Sequence, residues 1–286
     1  MGYREEFRVD WSLIWKAAIA LGGLSLLFGV LLAFAGDKFK VQTDPRLDEL
    51  LAAVLGANCG ACGYPGCEAA CNAVLAGDAN VDVCVAGGGN AVTSVARVMG
   101  VETRQRKRGV ALVHCKGGLG ESVPKARYQG TSSCAAAELV AGGGKACRYG
   151  CLGLETCRMV CPVNAILFDE DHRRWVNRDR CTGCGLCVDV CPRGLIQVVP
   201  RDQEVLAVCN SRDKGAKAKR VCSVCCVACK KCVKACDFDA IYVEANRAWI
   251  NYEKCTQCGR CIETCPNDVL VRVVPSRRME RMQKGV

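Results

Sequence analysis

Cysteine is the residue whose type and spacing carry chemistry in this chain. Cys181, Cys184, Cys187 and Cys191, followed by Pro192, form a Cys-x2-Cys-x2-Cys-x3-Cys-Pro run. Cys255, Cys258, Cys261, Cys265 and Pro266 repeat it. Cys226, Cys229, Cys232 and Cys236 keep the spacing but put Asp237 in the proline position. Two-residue gaps let one short loop wrap a face of a four-iron four-sulfur (4Fe–4S) cube and ligate three of its irons, while the fourth thiolate serves a second cube. The chemistry implied is single-electron transfer. Zinc sites also use Cys-x2-Cys, but zinc takes its cysteines in pairs, and these longer runs leave ligands over.

Composition agrees. The chain has 286 residues, 26 of them cysteine. Outside the cell such a count suggests disulfides; the tight repeats argue for metal and a reducing compartment. Aromatic residues make up only 6%, and there are 30 glycines. So few large side chains build little core, which makes the cubes themselves the core and couples folding to their insertion. The formal charge is +10, and anionic thiolate-ligated cubes offset part of it. Basic residues bunch at 104–108, 212–220 and 277–284. Solvated linkers and a tail explain these runs; the functional reading is docking of an acidic carrier protein or of anionic lipid. Nucleic acid is excluded, because no stacking aromatics interleave the runs.

The elements that must position the cysteines follow in chain order. Residues 17–35 are apolar and uncharged, long enough for one membrane-spanning helix, with Trp11 and Trp15 at one end and Lys38 and Lys40 beyond the other. No Ala-x-Ala site follows cleanly, and export would strand iron sites in an oxidising compartment, so a cleaved signal is rejected. Arg4 and Arg8 nearly balance Lys38, Lys40 and Arg46. Orientation therefore rests on the clusters, which place the cysteine-rich domains in the cytoplasm and the N-terminus outside.

Asp44 and Pro45 open a helix as N-cap and first helical residue, with an apolar stripe of Leu47, Leu50, Leu51, Val54 and Leu55 ended by Gly56. Next come Cys59, Cys62, Cys67 and Cys84, a compact set of four thiolates. Cys71 reads as a buried small apolar residue on a helix. Residues 87–110 read as a linker, and the glycine triplets at 87–89 and 142–144 as turns, since neither fits a phosphate-binding fingerprint.

From about residue 111 the chain repeats. Cys147 aligns with Cys222, Cys151 with Cys226, Cys157 with Cys232, and Cys161 with Cys236; Cys115 and Cys209 correspond, each after a Val-rich run. Each block leads into a hairpin, Ile166–Phe168 into Trp175 and Val176, and Ile241–Val243 into Trp249 and Ile250, and ends in a strand at 195–199 or 269–274. Strand, helix, hairpin, helix, strand, twice over, is the two-cluster ferredoxin plan. The fold class expected is α+β: an anchor at 1–40, a small helical 4Fe–4S domain at 41–100, and two tandem ferredoxin-like units at 101–204 and 205–286.

Ligand sets follow from the run's geometry. In the second unit Cys226, Cys229, Cys232 and Cys265 hold one cube, and Cys236, Cys255, Cys258 and Cys261 the other. In the first, Cys161, Cys181, Cys184 and Cys187 hold one. Its partner site is irregular, because Leu154 stands where Cys229 aligns. Cys147 is the nearest replacement, giving Cys147, Cys151, Cys157 and Cys191; Cys115 and Cys134 are alternatives, as is a three-iron or empty site. The tally is five 4Fe–4S clusters, open by one in either direction. It leaves Cys71, Cys115, Cys134, Cys209, Cys222 and Cys225, a remainder that offers a sixth site without a tight motif. His114, beside Cys115, is a minor candidate ligand, and His172 reads as a solvated turn residue.

The order of parts resembles the B subunit of the Rnf complex over nearly the whole chain: a membrane helix, Cys59-Gly-Ala-Cys-Gly-Tyr-Pro-Gly-Cys67, then Lys145-Ala-Cys-Arg-Tyr-Gly-Cys-Leu-Gly-Leu154 and Cys209-Asn-Ser-Arg-Asp-Lys-Gly215. The resemblance implies a membrane-bound, ion-translocating ferredoxin:NAD oxidoreductase, pumping sodium or protons. A protein of this kind would take electrons from reduced ferredoxin and relay them to the other subunits, with Cys59, Cys62, Cys67 and Cys84 on the membrane-proximal cluster. Val85, Ala86, Cys225 and Asp237 depart from the family pattern of Pro, Pro, Gly and Pro. The chain has no nucleotide fingerprint, flavin attachment signature or poised acid–base pair, so flavin and NAD belong to partners. Rival readings are a relay subunit of another membrane oxidoreductase and a non-catalytic iron–sulfur store or scaffold.

Overall fold

The computed structural model describes residues 11–39, 44–102 and 109–273; the basic runs at 104–108 and 277–284, with Arg4, Arg8 and Lys40, lie outside them. The chain divides into two compact units, Met1–Pro45 and Arg46–Val286. In the first, helix α1 runs Trp11–Lys38. Its stretch Ile14–Lys38 has a mean hydropathy of 2.3 and buries none of its most apolar window. Twenty-five helical residues extend about 37 Å at 1.5 Å each, beyond the roughly 30 Å of a bilayer's hydrocarbon.

The second unit opens with three helices: α2 (Arg46–Ala53), α3 (Cys67–Ala76) and α4 (Gly88–Met99). Their apolar faces meet, with Leu47, Leu50, Cys71, Val74 and Val95 in one buried cluster. Cys71 is thus a core residue here, as its helical spacing from Cys67 suggests. α4 corrects the linker expected from residue 87. Ala91, Val92, Val95 and Ala96 are buried on one face, and Gly88 and Gly89 start a helix rather than a turn. Glycine propensity misleads at this point because tertiary packing of an apolar stripe outweighs it. The absent side chain also has a use: a Cβ on Gly88 would stand 3.3 Å from Cγ2 of Thr182, so the helix start lies close against the Cys181–Cys184 loop.

Next come β1 (Gly109–Val113), α5 (Cys134–Leu139), α6 (Thr156–Met159), β2 (Ile166–Phe168), β3 (Arg174–Val176), α7 (Leu186–Asp189) and β4 (Ile196–Pro200). β1 pairs antiparallel with β4, Ala111 opposite Val198, and β2 with β3. The topology then recurs in β5 (Val205–Ala207), α8 (Gly215–Val221), α9 (Lys231–Lys234), β6 (Ile241–Glu244), β7 (Arg247–Ile250), α10 (Arg260–Glu263) and β8 (Leu270–Arg272). β5 pairs with β8, and β6 with β7. Each half closes over its own core, Val110, Ile166, Leu195 and Val199 in one and Val205, Ile241 and Leu270 in the other. The second hairpin is tighter than expected. Glu244 and Arg247 pair within the strands, and Ala245 and Asn246 turn at φ 47° and 63°, the two positive values of a type I′ turn.

The halves join through β1 and β5. The Lys116 N–H donates to the Val208 carbonyl at 3.0 Å. His114 is buried with Nδ1 2.8 Å from the Ala207 carbonyl, Nε2 3.2 Å from the Gln197 side chain, and its ring edge-on to Trp249. Both nitrogens are engaged, which removes His114 from the candidate ligands. The carbonyl only accepts, so Nδ1 carries the proton. Burial, with help from Arg247, pushes the pKa down against the two hydrogen bonds. His172 is not simply solvated: its Nδ1 lies 2.9 Å from the Gly153 carbonyl. The basic run at 212–220 is no linker but covers α8, where Lys217 pairs with Asp213 at 2.7 Å.

Leu50 is fully buried where α2 meets its neighbours. Leu50→Ala is expected to cost about 2–5 kcal/mol locally. In limited proteolysis, cleavage within 46–100 should become faster while fragments from 109–273 persist; an unchanged cleavage rate would contradict this core.

Candidate functional site

Four cysteine loops follow one backbone path. In the first perfect run, Gly183 and Gly185 flank Cys184 with φ of 73° and 90°. Gln257 and Gly259 do the same around Cys258 (61° and 87°), and Ala228 and Lys230 around Cys229 (56° and 59°). The irregular loop keeps this shape, with Gly153 and Glu155 at 83° and 58° on either side of Leu154. The alternation of left-handed residues turns successive backbone amides inward, which makes a concavity for an anion. Leu154 thus occupies a ligand's position in a loop still shaped for a cube.

The exits also repeat. Asn164, Gly194, Asp239 and Asp268, each three residues past the run's last cysteine, have φ between 48° and 56°. This bend aims the next amide at the cysteine sulfur: Ala165 N to Cys161 Sγ at 3.3 Å, Leu195 N to Cys191 Sγ at 3.4 Å, and Val269 N to Cys265 Sγ at 3.3 Å. The entries are fixed by Asn177 and Asn251. Each donates its N–H to the alanine before the hairpin, each carbonyl accepts from the first cysteine of the run, and each side-chain oxygen caps the turn between.

Three of these loops and the N-terminal thiol set line cavities alike in size, with empty volumes between 340 and 400 Å³. One is lined by Cys59, Cys62, Cys67 and Cys84, where the Asn58 side chain accepts from the Cys67 N–H at 2.8 Å. A second is lined by Cys161, Cys181, Cys184 and Cys187, and a third by Cys226, Cys229, Cys232 and Cys265, with Cys225 in the wall. Cys236, Cys255 and Cys258 surround Cys261 closely enough that burial, and then their charges, push its thiol up to about 11. The N-terminal set adjoins the second, since the Cys59 charge helps to raise the Cys184 thiol after burial does.

The irregular site differs from expectation. Its cavity is lined by Cys134, Cys151, Cys157 and Cys191, and Cys147 is not among the lining residues. Burial and then the charges of Cys151, Cys134, Cys187 and Cys191 push the Cys157 thiol up to about 12. Cys134 comes from α5, whose start is fixed by the Cys134 N–H donating to Thr156 Oγ1 at 2.9 Å. Sequence distance favoured Cys147; the chain loops back to bring Cys134 to this cavity. Arg193 secures that loop. It bonds Glu138 at 2.6 Å and the carbonyls of Cys147, Gly150 and Gly142 at 3.1, 2.5 and 2.7 Å.

The donors suit a cube. The thiols of Cys157, Cys187, Cys232 and Cys261, raised in pKa by burial and then by neighbouring thiols, ionise more readily when a cation joins them. Amide N–H groups aimed at sulfur complement an anionic cluster. Among the described residues no three His, Cys, Asp or Glu side chains converge closely enough to hold one metal ion.

Known families agree with this site. A putative Fe-S cluster family matches 56–86, 4Fe-4S dicluster domain families match 147–198 and 180–240, and a 4Fe-4S binding domain family matches 248–271. The protein is therefore one that carries several 4Fe–4S clusters. Among its relatives, the B subunit of the Na(+)-translocating ferredoxin:NAD(+) oxidoreductase complex of Acetobacterium woodii is 45% identical over 86% of this chain and 74% of its own length. The B subunit of the ion-translocating oxidoreductase complex of Methanosarcina acetivorans is 36% identical over 91% of this chain and 98% of its own. The B subunit of the proton-translocating ferredoxin:NAD(+) oxidoreductase complex of Clostridium ljungdahlii is 34% identical over 92% and 93%. The chain belongs to this family of Rnf complex B subunits. It is an iron–sulfur electron-transfer subunit of an ion-translocating oxidoreductase that works among the other subunits of a membrane complex.

Arg193→Ala would leave three carbonyls and Glu138 without their partner. A loss of about 1–3 kcal/mol is expected for leaving these part-buried groups without their donor. Hydrogen exchange should speed up at 142–150; unchanged protection would show that Arg193 does not hold the loop.

Proposed function

We infer that twenty cysteines of this chain ligate five 4Fe–4S clusters. The sets are Cys59, Cys62, Cys67 and Cys84; Cys134, Cys151, Cys157 and Cys191; Cys161, Cys181, Cys184 and Cys187; Cys226, Cys229, Cys232 and Cys265; and Cys236, Cys255, Cys258 and Cys261. The regions at 101–204 and 205–286 act as two tandem two-cluster ferredoxin-like units, following the domain at 41–100 and the anchor at 1–40. The observation that carries this reading is the shared left-handed backbone of four thiol loops, including the loop whose own cysteine is replaced by Leu154.

When bound, the clusters supply reversible one-electron transfer. The chain's residues do the remaining work. Thiolates fix where the clusters sit. Amides of Ala165, Leu195 and Val269 stabilise charge on the ligand sulfurs. The buried strand Ile166–Phe168 and the buried side chain of Leu270 help exclude water. We read the chain as the component that accepts electrons from reduced ferredoxin and relays them toward NAD reduction, which flavin- and nucleotide-carrying partners carry out, coupled to movement of sodium ions or protons. α1 anchors it in membrane lipid with the cysteine domains in the cytoplasm.

Cys134→Ser is expected to lose iron from one site and change one EPR signal; unaltered iron content and spectra would remove Cys134 from the ligands. In anaerobic stopped-flow with reduced ferredoxin, cluster absorbance should bleach within the mixing experiment. A store or scaffold would show no fast bleaching, and that outcome would overturn the relay reading.

A further inference from the structure

Six cysteines remain once those five sets are made: Cys71, Cys115, Cys147, Cys209, Cys222 and Cys225. Cys71 belongs to the helical core, and Cys225 is buried in the wall of a neighbouring cavity. The other four converge. Cys147 Sγ and Cys115 Sγ lie 3.3 and 3.7 Å from the point where a Cβ on Gly150 would stand. Cys222 Sγ is 3.3 Å from the same point on Gly117, and the Gly117 carbonyl is 3.9 Å from Cys115 Sγ. Cys209 and Cys222 share one buried cluster. Gly117 and Gly150 leave room for sulfur where any side chain would crowd it.

The backbone is built to bring these four together. The segment around Ser122–Pro124 lies between the two arms that carry Cys222 and Cys147. The Val123 N–H donates to the Val221 carbonyl at 3.0 Å, and the Val123 carbonyl accepts from Ala146 N at 2.8 Å. Cys115 follows β1 and Cys209 follows β5, and those strand ends are joined by the Lys116–Val208 hydrogen bond. In the repeat alignment Cys115 matches Cys209 and Cys147 matches Cys222, so each half contributes one member of each pair. The hydrogen bonds repeat too. Cys151 N donates to Cys115 Sγ at 3.3 Å, and its counterpart Cys226 N donates to Cys209 Sγ at 3.2 Å, with Ser211 N adding 3.4 Å.

A second observation calls for an anion. Lys145 and Arg174 are each only 8% exposed. Among the described residues, Lys145 Nζ and Arg174 Nε and Nη1 are buried without a hydrogen-bond partner; Arg174 Nη2 bonds the Gly117 carbonyl. Two buried cations side by side cost several kcal/mol unless negative charge lies beside them. The sulfurs of Cys115 and Cys151 lie beside both side chains, with Cys222 also beside Lys145.

We propose that Cys115, Cys147, Cys209 and Cys222 hold a sixth 4Fe–4S cluster at the junction of the two halves, with Lys145 and Arg174 as its buried counter-charges. Thiolates and iron–sulfide cube together are anionic in both oxidation states, which answers the unpaired cations. The amides of Cys151 and Cys226 place the site one hydrogen bond from a ligand of the adjoining set in each half. It is the thiol set that both halves build in common, and neither half builds it alone. No short-range motif announces it, because its ligands are spread over 108 positions, from Cys115 to Cys222.

The inference rests on the neighbouring motifs holding 4Fe–4S cubes, and the experiment separates the two. Full-length protein is prepared anaerobically and assayed for iron, acid-labile sulfide and zinc. Cys115→Ser and Cys222→Ser are each expected to lose about four iron and about four sulfide per chain, as is the control Cys184→Ser from a perfect cysteine run. If Cys184→Ser loses iron and the other two do not, the sixth site is refuted and the five stand. If none of the three loses iron, the underlying reading fails. Zinc in place of the missing iron and sulfide also refutes the proposal. Lys145→Met keeps every cysteine and covers the case in which the serine variants do not fold. Iron should stay unchanged while one EPR-detected cluster becomes harder to reduce; a full iron complement with every midpoint potential unmoved would overturn the assignment.

Discussion

Thiolates that share a cluster repel one another, and burial makes each harder to ionise. The backbone of this protein is organised around that conflict. Left-handed residues at alternate positions turn peptide N–H groups inward, and the bend three residues past Cys161, Cys191 and Cys265 delivers one more to sulfur. Negative charge in a poorly solvated pocket is then met by fixed dipoles. Little else in these halves is regular: the described helices within the tight cysteine runs are single turns, and the sheets are pairs of short strands. The cubes take the place that large side chains fill in ordinary cores.

The same electrostatics explain where charged side chains appear. Lys145 and Arg174 are buried beside thiols, where an isolated cation would be prohibitively placed. Arg193 is buried too, but its planar fork is spent on carbonyls and on Glu138, so its work is mechanical. Surface ion pairs such as Arg158 with Glu155 contribute little by comparison. Among the described residues, cations therefore include ones buried beside thiols, ones that tie loops, and ones that face water.

Function follows from placement rather than from a reactive side chain. An apolar helix long enough to cross a bilayer precedes a domain whose thiol set lies against the next, and the series continues through two halves of like topology. Membership in a family of membrane oxidoreductase B subunits places this array among the other subunits of a membrane complex.

Much of this was legible in the residues themselves. Tight cysteine runs declare their chemistry because loop geometry is local, and the repeat declares two similar halves because matching side chains recur in order. The apolar segment near the N-terminus is likewise a property of adjacent residues. What the linear order left open was settled by folding. Leu154 stands at a cysteine's place in the repeat, and nothing in the spacing says that Cys134, brought back on a short helix, lines that cavity while the nearer Cys147 does not. The glycines at 87–89 look like a turn until the stripe beyond them finds its apolar partners. The convergence of Cys115, Cys147, Cys209 and Cys222 depends on strands and arms from both halves meeting. The reason is physical: a ligand set within one loop is encoded by local backbone geometry, whereas one assembled across a junction exists only after long-range packing and hydrogen bonding have brought distant segments together.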